Sequence, residues 1–227
     1  MRSNASKLET LGIPLQPGAA LADQAYEHLR DAILDGRLAP LTPLSVPEVA
    51  RRLGISRSPA REAIARLASE GLARVEPRRG AVVAQITLDD LHEIYEVREV
   101  LEGLACRLAA LAMDDAARKQ LDEVIAEHRD AVTAGDVARH MVADQRFHKV
   151  VRSVAGNRRL AESLDRLQGE IRVAMNTTHR VAGGMHQALA EHEEIAEALR
   201  RADPEAAEEA ARRHIRRLRQ GLKESRK

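Results

Sequence analysis

Apolar residues recur every three or four positions over most of this chain, which is the spacing of one face of an α-helix. A first stretch of this kind covers residues 19–35 and ends at Gly36. Two shorter stretches follow between Ser45 and Leu72, and the tight turn Leu53-Gly54-Ile55 joins them. Two short helices joined by a glycine-containing turn are typical of a helix-turn-helix.

Both helices of this motif begin at residues that favour helix N-termini. Ser45 and Glu48 match a capping box, in which the two side chains bond each other's backbone amides. Ser56 is a favourable N-cap for the second helix. Helical spacing turns the apolar residues of the second helix inward and leaves Arg57, Ser58, Arg61, Glu62 and Arg66 facing outward.

Residues 72–83 have a different pattern, with two short runs rich in valine and alanine around Pro77-Arg78-Arg79-Gly80. This pattern predicts a β-hairpin with a basic tip, which is the wing of a winged helix. From Leu44 to Gly80 there are eight arginines and four glutamates, a net charge of +4, whereas the whole chain carries +1. A helical hairpin with a solvated basic face would explain the two helices alone. Charge concentrated on a second helix and a wing favours DNA binding.

Beyond Thr87, a favourable N-cap followed by acidic residues, only helical patterns occur. Six of them, joined by short loops, predict an all-α antiparallel bundle. The fold class is therefore mainly α: an N-terminal winged helix-turn-helix of three helices and a β-hairpin wing, then a six-helix bundle. We place a flexible arm at residues 1–18, the winged helix at 19–86 and the helical domain at 87–227.

Composition narrows the class of protein. Hydrophobic residues make up 44% of the chain and aromatic residues only 1%, so the core must be aliphatic. The single cysteine, Cys106, excludes an intramolecular disulfide and lies in an apolar helical pattern that favours a buried, inert thiol. The sequence has no stretch typical of a signal peptide or a transmembrane helix. We expect a cytoplasmic protein that does not contact a membrane.

Four polar residues are predicted on inward faces of the bundle. Asp144 and His148 stand one helical turn apart, His192 lies among apolar residues of the fifth bundle helix, and His214 among those of the sixth. Buried groups of this kind need compensation, and one divalent metal ion would satisfy all four. For each histidine alone, a hydrogen-bonded core residue is the ordinary interpretation. The other histidines are interpreted as surface or packing residues, or given no role: His28, His92, His128, His140, His179 and His186.

Three segments of the first half follow one another in a characteristic order: Gly36-Arg37-Leu38-Ala39-Pro40, then SRSPAREA at residues 56–63, then Glu70-Gly71-Leu72. Together they resemble the winged helix of the GntR family of bacterial transcription regulators, whose usual central segment is SRTPVREA. The chain departs from the family at Leu41, where glycine is usual, and at Pro47, near which the family often has a further DNA contact.

This resemblance implies that Arg57, Ser58 and Arg61 contact DNA, and that Gly80 lets the wing backbone approach the minor groove. The other outward arginines of the second helix and wing are added as candidates. The predicted DNA-binding residues are then Arg57, Ser58, Arg61, Arg66, Arg78, Arg79 and Gly80.

The second half carries Asp144-x-x-Phe147-His148, then Ala155-Gly156-Asn157, then Glu191-His192, and finally His214. This order resembles the FCD effector domain of the FadR-type branch of the same family, in its shorter variant with six helices. The resemblance implies that Asp144, His148, His192 and His214 hold a divalent metal ion at the base of a ligand cavity. Imidazole ligands suit Zn, Ni and Fe, and a carboxylate with open coordination positions also admits Mn.

These observations predict a DNA-binding transcription regulator, and more narrowly a repressor, that binds a palindromic operator in double-stranded DNA as a homodimer. A small carboxylate or hydroxy-carboxylate effector would bind beside the metal ion and change the affinity for the operator. Arg98 is a candidate second anchor for the effector's carboxylate. The alternative for Arg98 is an intrahelical ion pair with Glu102, one turn later.

Two other functions stay open at this point. One is a metal-dependent hydrolase or isomerase with a DNA-binding appendage, because open metal positions can activate water. No general acid, general base or nucleophile motif accompanies the four ligands, so we do not expect an enzyme. The other is a regulator without a small ligand, in which the four polar residues form a hydrogen-bonded core network.

Overall fold

The computed structural model describes residues 21–76, 80–178 and 184–224. These residues group into two compact units: Met1–Leu91 with Asp165–Arg180, and His92–Leu164 with Val181–Lys227. The predicted arm at residues 1–18 lies outside the described residues. The division of the chain at residue 86 stays a prediction.

The N-terminal part of the first unit, residues 21–83, contains three helices and a small sheet among its described residues. The helices are α1 (Leu21–Leu34), α2 (Val46–Leu53) and α3 (Arg57–Ser69), and the strands are β1 (Pro43–Leu44), β2 (Ala73–Glu76) and β3 (Gly80–Val83). The antiparallel sheet has the order β1-β3-β2, with Ala73 opposite Val83 and Pro43 opposite Val82. The predicted hairpin is therefore present. Strand β1 is not predicted from the sequence, because two residues are too few to show an alternating pattern.

The turn between α2 and α3 has the conformation that its sequence predicts. Gly54 ends α2 in the left-handed conformation (φ 67°), where its lack of a side chain avoids strain, and its amide donates to the carbonyl of Ala50. Ser45 and Ser56 occupy the predicted N-cap positions of α2 and α3. Buried aliphatic side chains of α1, α2 and α3 then form one core, including Leu29, Leu53 and Leu67.

The predicted capping box of Ser45 with Glu48 is wrong. The Ser45 side chain makes no capping hydrogen bond. Glu48 instead accepts hydrogen bonds from Arg51 (2.6 Å) and Arg52 (2.9 Å), one turn further along α2. The two guanidinium groups donate three hydrogen bonds to this carboxylate, whereas the capping box would give it one, so the carboxylate turns away from the helix start.

The remaining helices confirm the predicted six-helix bundle. They are α4 (Leu88–Leu111), α5 (Asp115–Thr133), α6 (Val137–Val154), α7 (Arg158–Thr178), α8 (Met185–Arg200) and α9 (Pro204–Glu224). Residues 88–91 of α4 and 165–178 of α7 group with the first unit, and the rest form the second. No helix in these described ranges is long and apolar enough to cross a membrane.

Side-chain caps explain why several bundle helices begin where they do. Thr87 and Asp90 form a capping box at α4, in which the Thr87 hydroxyl accepts from the Asp90 amide (3.1 Å) and Asp90 accepts from the Thr87 amide (2.8 Å). Asp114 caps α5 by accepting from the amide of Ala117 (2.7 Å). Asp136 caps α6 in the same way.

The core of the second unit is aliphatic apart from the ring of Phe147 and the thiol of Cys106, as the composition predicts. Polar side chains are nevertheless buried beside it, on α4, α5, α6, α8 and α9. The same helix α4 leaves four large apolar side chains exposed: Val97, Val100, Leu104 and Leu111.

Candidate metal centre and nucleic-acid interface

Three histidines from different helices converge inside the second unit. His148 comes from α6, His192 from α8 and His214 from α9, and their side chains are 5%, 0% and 2% exposed. One ring nitrogen from each histidine lies within 4.8 Å of those of the other two. Helical spacing explains this convergence, because each histidine occupies the apolar face of its helix.

The Nε2 atom of each of these histidines is buried and has no hydrogen-bond partner. A buried polar atom without a partner costs about 1–3 kcal/mol, so three together in one place need an explanation. Three imidazole nitrogens are a donor set that suits Zn, Ni or Fe. The residues present therefore fit a divalent metal ion.

The other ring nitrogen of each histidine does have a partner. Nδ1 of His214 lies 2.7 Å from a carboxylate oxygen of Glu191, and Nδ1 of His148 lies 3.3 Å from one of Glu102. Metal-binding histidines generally donate this second N–H to a carboxylate, a carbonyl or water, which fixes the ring and directs the free nitrogen towards the ion. Glu191 does this for His214 through a hydrogen bond, and Glu102 is the carboxylate that lies beside Nδ1 of His148.

Asp144 borders the cluster without joining it. It lies on α6 one turn before His148, and its Oδ1 is 3.7 Å from Nε2 of His192. Its side chain is 29% exposed, whereas the three histidines are buried. The structure thus brings three of the four predicted ligands together and leaves the carboxylate at the edge.

Burial keeps His192 and His214 in the neutral form that binds metals. Burial lowers the pKa of His192 well below its ordinary value, and the neighbouring His214 and His148 lower it further. Burial also lowers the pKa of His214, against the opposing effect of Glu191. Both imidazoles are therefore neutral near pH 7, with a lone pair available for an ion.

Arg98 forms the ion pair that was the alternative to an effector-binding role. Its Nε lies 3.2 Å from Glu102, and both side chains are buried. Nη1 of Arg152 lies 3.7 Å from the same carboxylate. Burial alone would raise the pKa of Glu102. The neighbouring His148, Arg98 and Arg152 lower it by more than burial raises it, so the carboxylate is ionised. An effector-binding role for Arg98 stays a prediction.

Sequence reasoning missed the outer partners of the histidines. Glu191 was noted only as the neighbour of His192, and Glu102 only as a partner for Arg98. His128 on α5 was interpreted as a surface or packing residue, but it is fully buried and its Nδ1 lies 3.3 Å from Nδ1 of His192. No spacing along the chain reveals these contacts, because each joins two helices.

The predicted DNA-binding residues lie on the first unit. Arg57, Ser58 and Arg61 are exposed in the first turns of α3. Arg66 is exposed as well, but it lies 3.0 Å from Asp23 and stacks on the ring of Tyr26. Gly80 begins β3 with φ 80°, a conformation that favours glycine. Arg78 and Arg79 lie outside the described residues.

Comparison with known families matches both halves of the chain. Residues 21–83 match the family described as "Bacterial regulatory proteins, gntR family", and residues 93–217 match the FCD domain. The two matches meet near the point where the six helices begin.

Individual proteins agree with these matches. The HTH-type transcriptional repressor RspR of Escherichia coli K12 is 26% identical over 96% of this chain and 95% of its own length. The probable D-xylose utilization operon transcriptional repressor of Paenarthrobacter nicotinovorans is 31% identical over 86% of this chain and 85% of its own length. The crystal structure of a putative GntR regulator from Rhodococcus sp. RHA1 superposes with a TM-score of 0.70 at 25% identity, over 91% of this chain and 99% of that chain.

Proposed function

Because the chain belongs to the GntR family of bacterial transcription regulators and carries an FCD domain, we propose that it is a repressor controlled by a small organic acid. It is a DNA-binding transcription regulator that binds DNA through its helix-turn-helix, and not an enzyme. Repression is supported by the names of two relatives, which are repressors. Action on a chromosomal operator implies that the protein works in the cytoplasm.

The observation that carries this proposal is the set of three buried Nε2 atoms without partners. His148, His192 and His214 would hold the metal ion, with Asp144 as a fourth ligand from its position one turn before His148. Zn, Ni, Mn and Fe are the candidate ions. When bound, the ion would offer its open coordination positions to the oxygens of a carboxylate or hydroxy-carboxylate.

The surroundings of the histidines suit an anionic ligand. A pocket of about 380 Å³ opens beside His214, and three arginines and two glutamates belong to its lining: Arg213, Arg216, Arg217, Glu191 and Glu194. Arg98 and Arg152 add two buried positive charges near His148, beside the carboxylates of Glu102 and Asp144. Arg98 would serve as the second anchor by transferring a hydrogen bond from Glu102 to the effector.

Effector binding controls operator affinity only if the acid binds one conformation of the protein better than another. The coupling is reciprocal, so an acid that weakens operator binding must itself bind less tightly to the DNA-bound protein.

Thermal denaturation of the metal-loaded protein against a panel of small organic acids tests this function. A ligand that binds only the folded protein stabilises it by about 2.7 kcal/mol at a concentration of 100 times its Kd. We expect one class of acid to raise the Tm, and a chelator to remove that shift. If no acid shifts the Tm while the metal is present, the ion is structural and the proposed effector class is wrong.

We also propose a homodimer that presents two copies of α3 to a palindromic operator. Val97, Val100 and Leu104 are 51%, 52% and 38% exposed and lie on one face of α4, at the spacing of a helix–helix contact. A second copy would bury this face. Two-fold symmetry would then match two half-sites about 34 Å apart on the DNA.

Sedimentation measurements on Val97→Lys combined with Leu104→Lys test this interface. We expect the double variant to sediment as a monomer, because each lysine would place a charge inside the contact. Val142→Lys on α6, at a position 66% exposed, is the matched control and should stay dimeric. A dimeric double variant would show that the copies meet elsewhere.

A further inference from the structure

Two further histidines extend the buried cluster. His128 on α5 and His140 on α6 are 0% and 4% exposed, and Nε2 of His128 lies 2.7 Å from Nδ1 of His140. Nδ1 of His128 lies 3.3 Å from Nδ1 of His192. The three rings therefore form a hydrogen-bonded chain, His140–His128–His192. At the His192 end of this chain, the Nε2 atom has no hydrogen-bond partner.

A chain of neutral imidazoles has only two arrangements of its hydrogens. Each neutral ring carries one N–H and one acceptor nitrogen, so fixing one ring fixes the next. In the first arrangement, His192 donates from Nδ1 to His128, and His128 donates from Nε2 to His140. Nε2 of His192 then has a free lone pair. In the reverse arrangement His192 accepts at Nδ1, so its Nε2 carries the hydrogen and cannot bind a metal ion.

We propose that His128 and His140 are positioning residues that hold His192 in the form whose Nε2 can bind the metal ion. This inference rests on the proposed metal site, and neither residue is a ligand in it. Their contacts have the same role for His192 as the contacts of Glu191 and Glu102 have for the other two histidines.

The environment of His128 suits this role. The ring of His128 is fully buried, and each of its two nitrogens lies within hydrogen-bond distance of another imidazole. The ring of His192 stacks on Phe147 with centroids 4.2 Å apart and planes 14° apart. Packing thus fixes the plane of the His192 ring, and the direction of its hydrogen bond with His128 determines which nitrogen carries the hydrogen.

Metal affinity of the full-length protein tests the inference, with Zn²⁺ or Co²⁺ measured in competition with a chromophoric chelator. His128→Ala should bind the ion about 10- to 100-fold more weakly, the usual effect of removing an outer partner. His128→Asn should recover most of that loss, because its amide oxygen can take the place of Nδ1 and accept from His192.

The contact between His128 and His140 provides an internal check. His140→Ala should weaken binding less than His128→Ala, and the double variant should be no weaker than His128→Ala alone, because both residues act through one contact. His92→Ala, which removes a half-buried imidazole paired with Glu96 in the same unit, is the matched control and should bind like the wild type.

Nitrogen NMR of the zinc-loaded wild type provides a measurement that needs no variant. The hydrogen of His128 should be on Nε2, and a hydrogen on Nδ1 would overturn the inference. Unchanged affinity in His128→Ala, or equal losses in His128→Ala and His128→Asn, would also overturn it. A wild-type protein that binds no ion would overturn the proposed metal site together with it.

Discussion

Replacing His148 with alanine should weaken the binding of Zn²⁺ by more than the roughly 10- to 100-fold expected for an outer partner, because it removes one of three buried ligands. The metal-free variant should remain folded, since Glu102 keeps its contacts with Arg98 and Arg152. The Tm increase that Zn²⁺ gives the wild type should disappear in the variant. Metal content after dialysis and the Tm with and without Zn²⁺ are the two measurements.

His186→Ala is the control for this experiment. His186 stands on α8 six residues before His192, and it is partly exposed. Its removal should leave both metal content and the zinc-induced Tm shift unchanged. If His148→Ala binds Zn²⁺ as tightly as the wild type, the three histidines form a hydrogen-bonded core network and hold no ion.

The second large effect is expected on the affinity for operator DNA. Arg57→Ala combined with Arg61→Ala should weaken operator binding by about 2–6 kcal/mol, roughly 30-fold or more, because each bidentate arginine–base contact contributes about 1–3 kcal/mol. Both arginines are exposed on the first turns of α3, where neither forms an ion pair with another described residue. The probe is a duplex selected by the wild-type protein from a random pool, titrated at one fixed salt concentration.

The control removes the same amount of charge elsewhere. Arg158 and Arg159 begin α7, in the second unit, and their side chains are 74% and 82% exposed. Their double alanine variant should bind the selected duplex within a few-fold of the wild type. Equal losses in the two double variants would mean that general electrostatic attraction, and not α3, determines affinity.

Helix positions were predictable because periodicity and caps are local. In both α5 and α6, an aspartate immediately before the helix caps its first turn. Strand β1 was missed, since its identity depends on pairing with β3, almost 40 residues later. Glu48 was assigned to the wrong partner because the rule for caps takes no account of nearby arginines.

The candidate metal site could be predicted from the sequence to about the same extent as the helices. Spacing alone placed His148, His192 and His214 on inward faces, and the structure brings them together. The outer contacts were not predictable from spacing, because they depend on which helices lie side by side. His128 shows the limit: its position on α5 indicates burial, but only the packing of α5 against α6 and α8 brings it to His140 and His192.

The stacking of Phe147 on His192 has a practical consequence. Phe147 is the only phenylalanine in the chain, and its ring lies 4.2 Å from an imidazole of the candidate site. Protein grown with para-fluorophenylalanine would therefore carry a single fluorine nucleus, next to the metal-facing histidine. Its one-dimensional fluorine NMR spectrum would contain one line per conformational state, and that line would shift when an ion or an acid enters. The chain thus offers a site-specific spectroscopic probe without any change to its sequence.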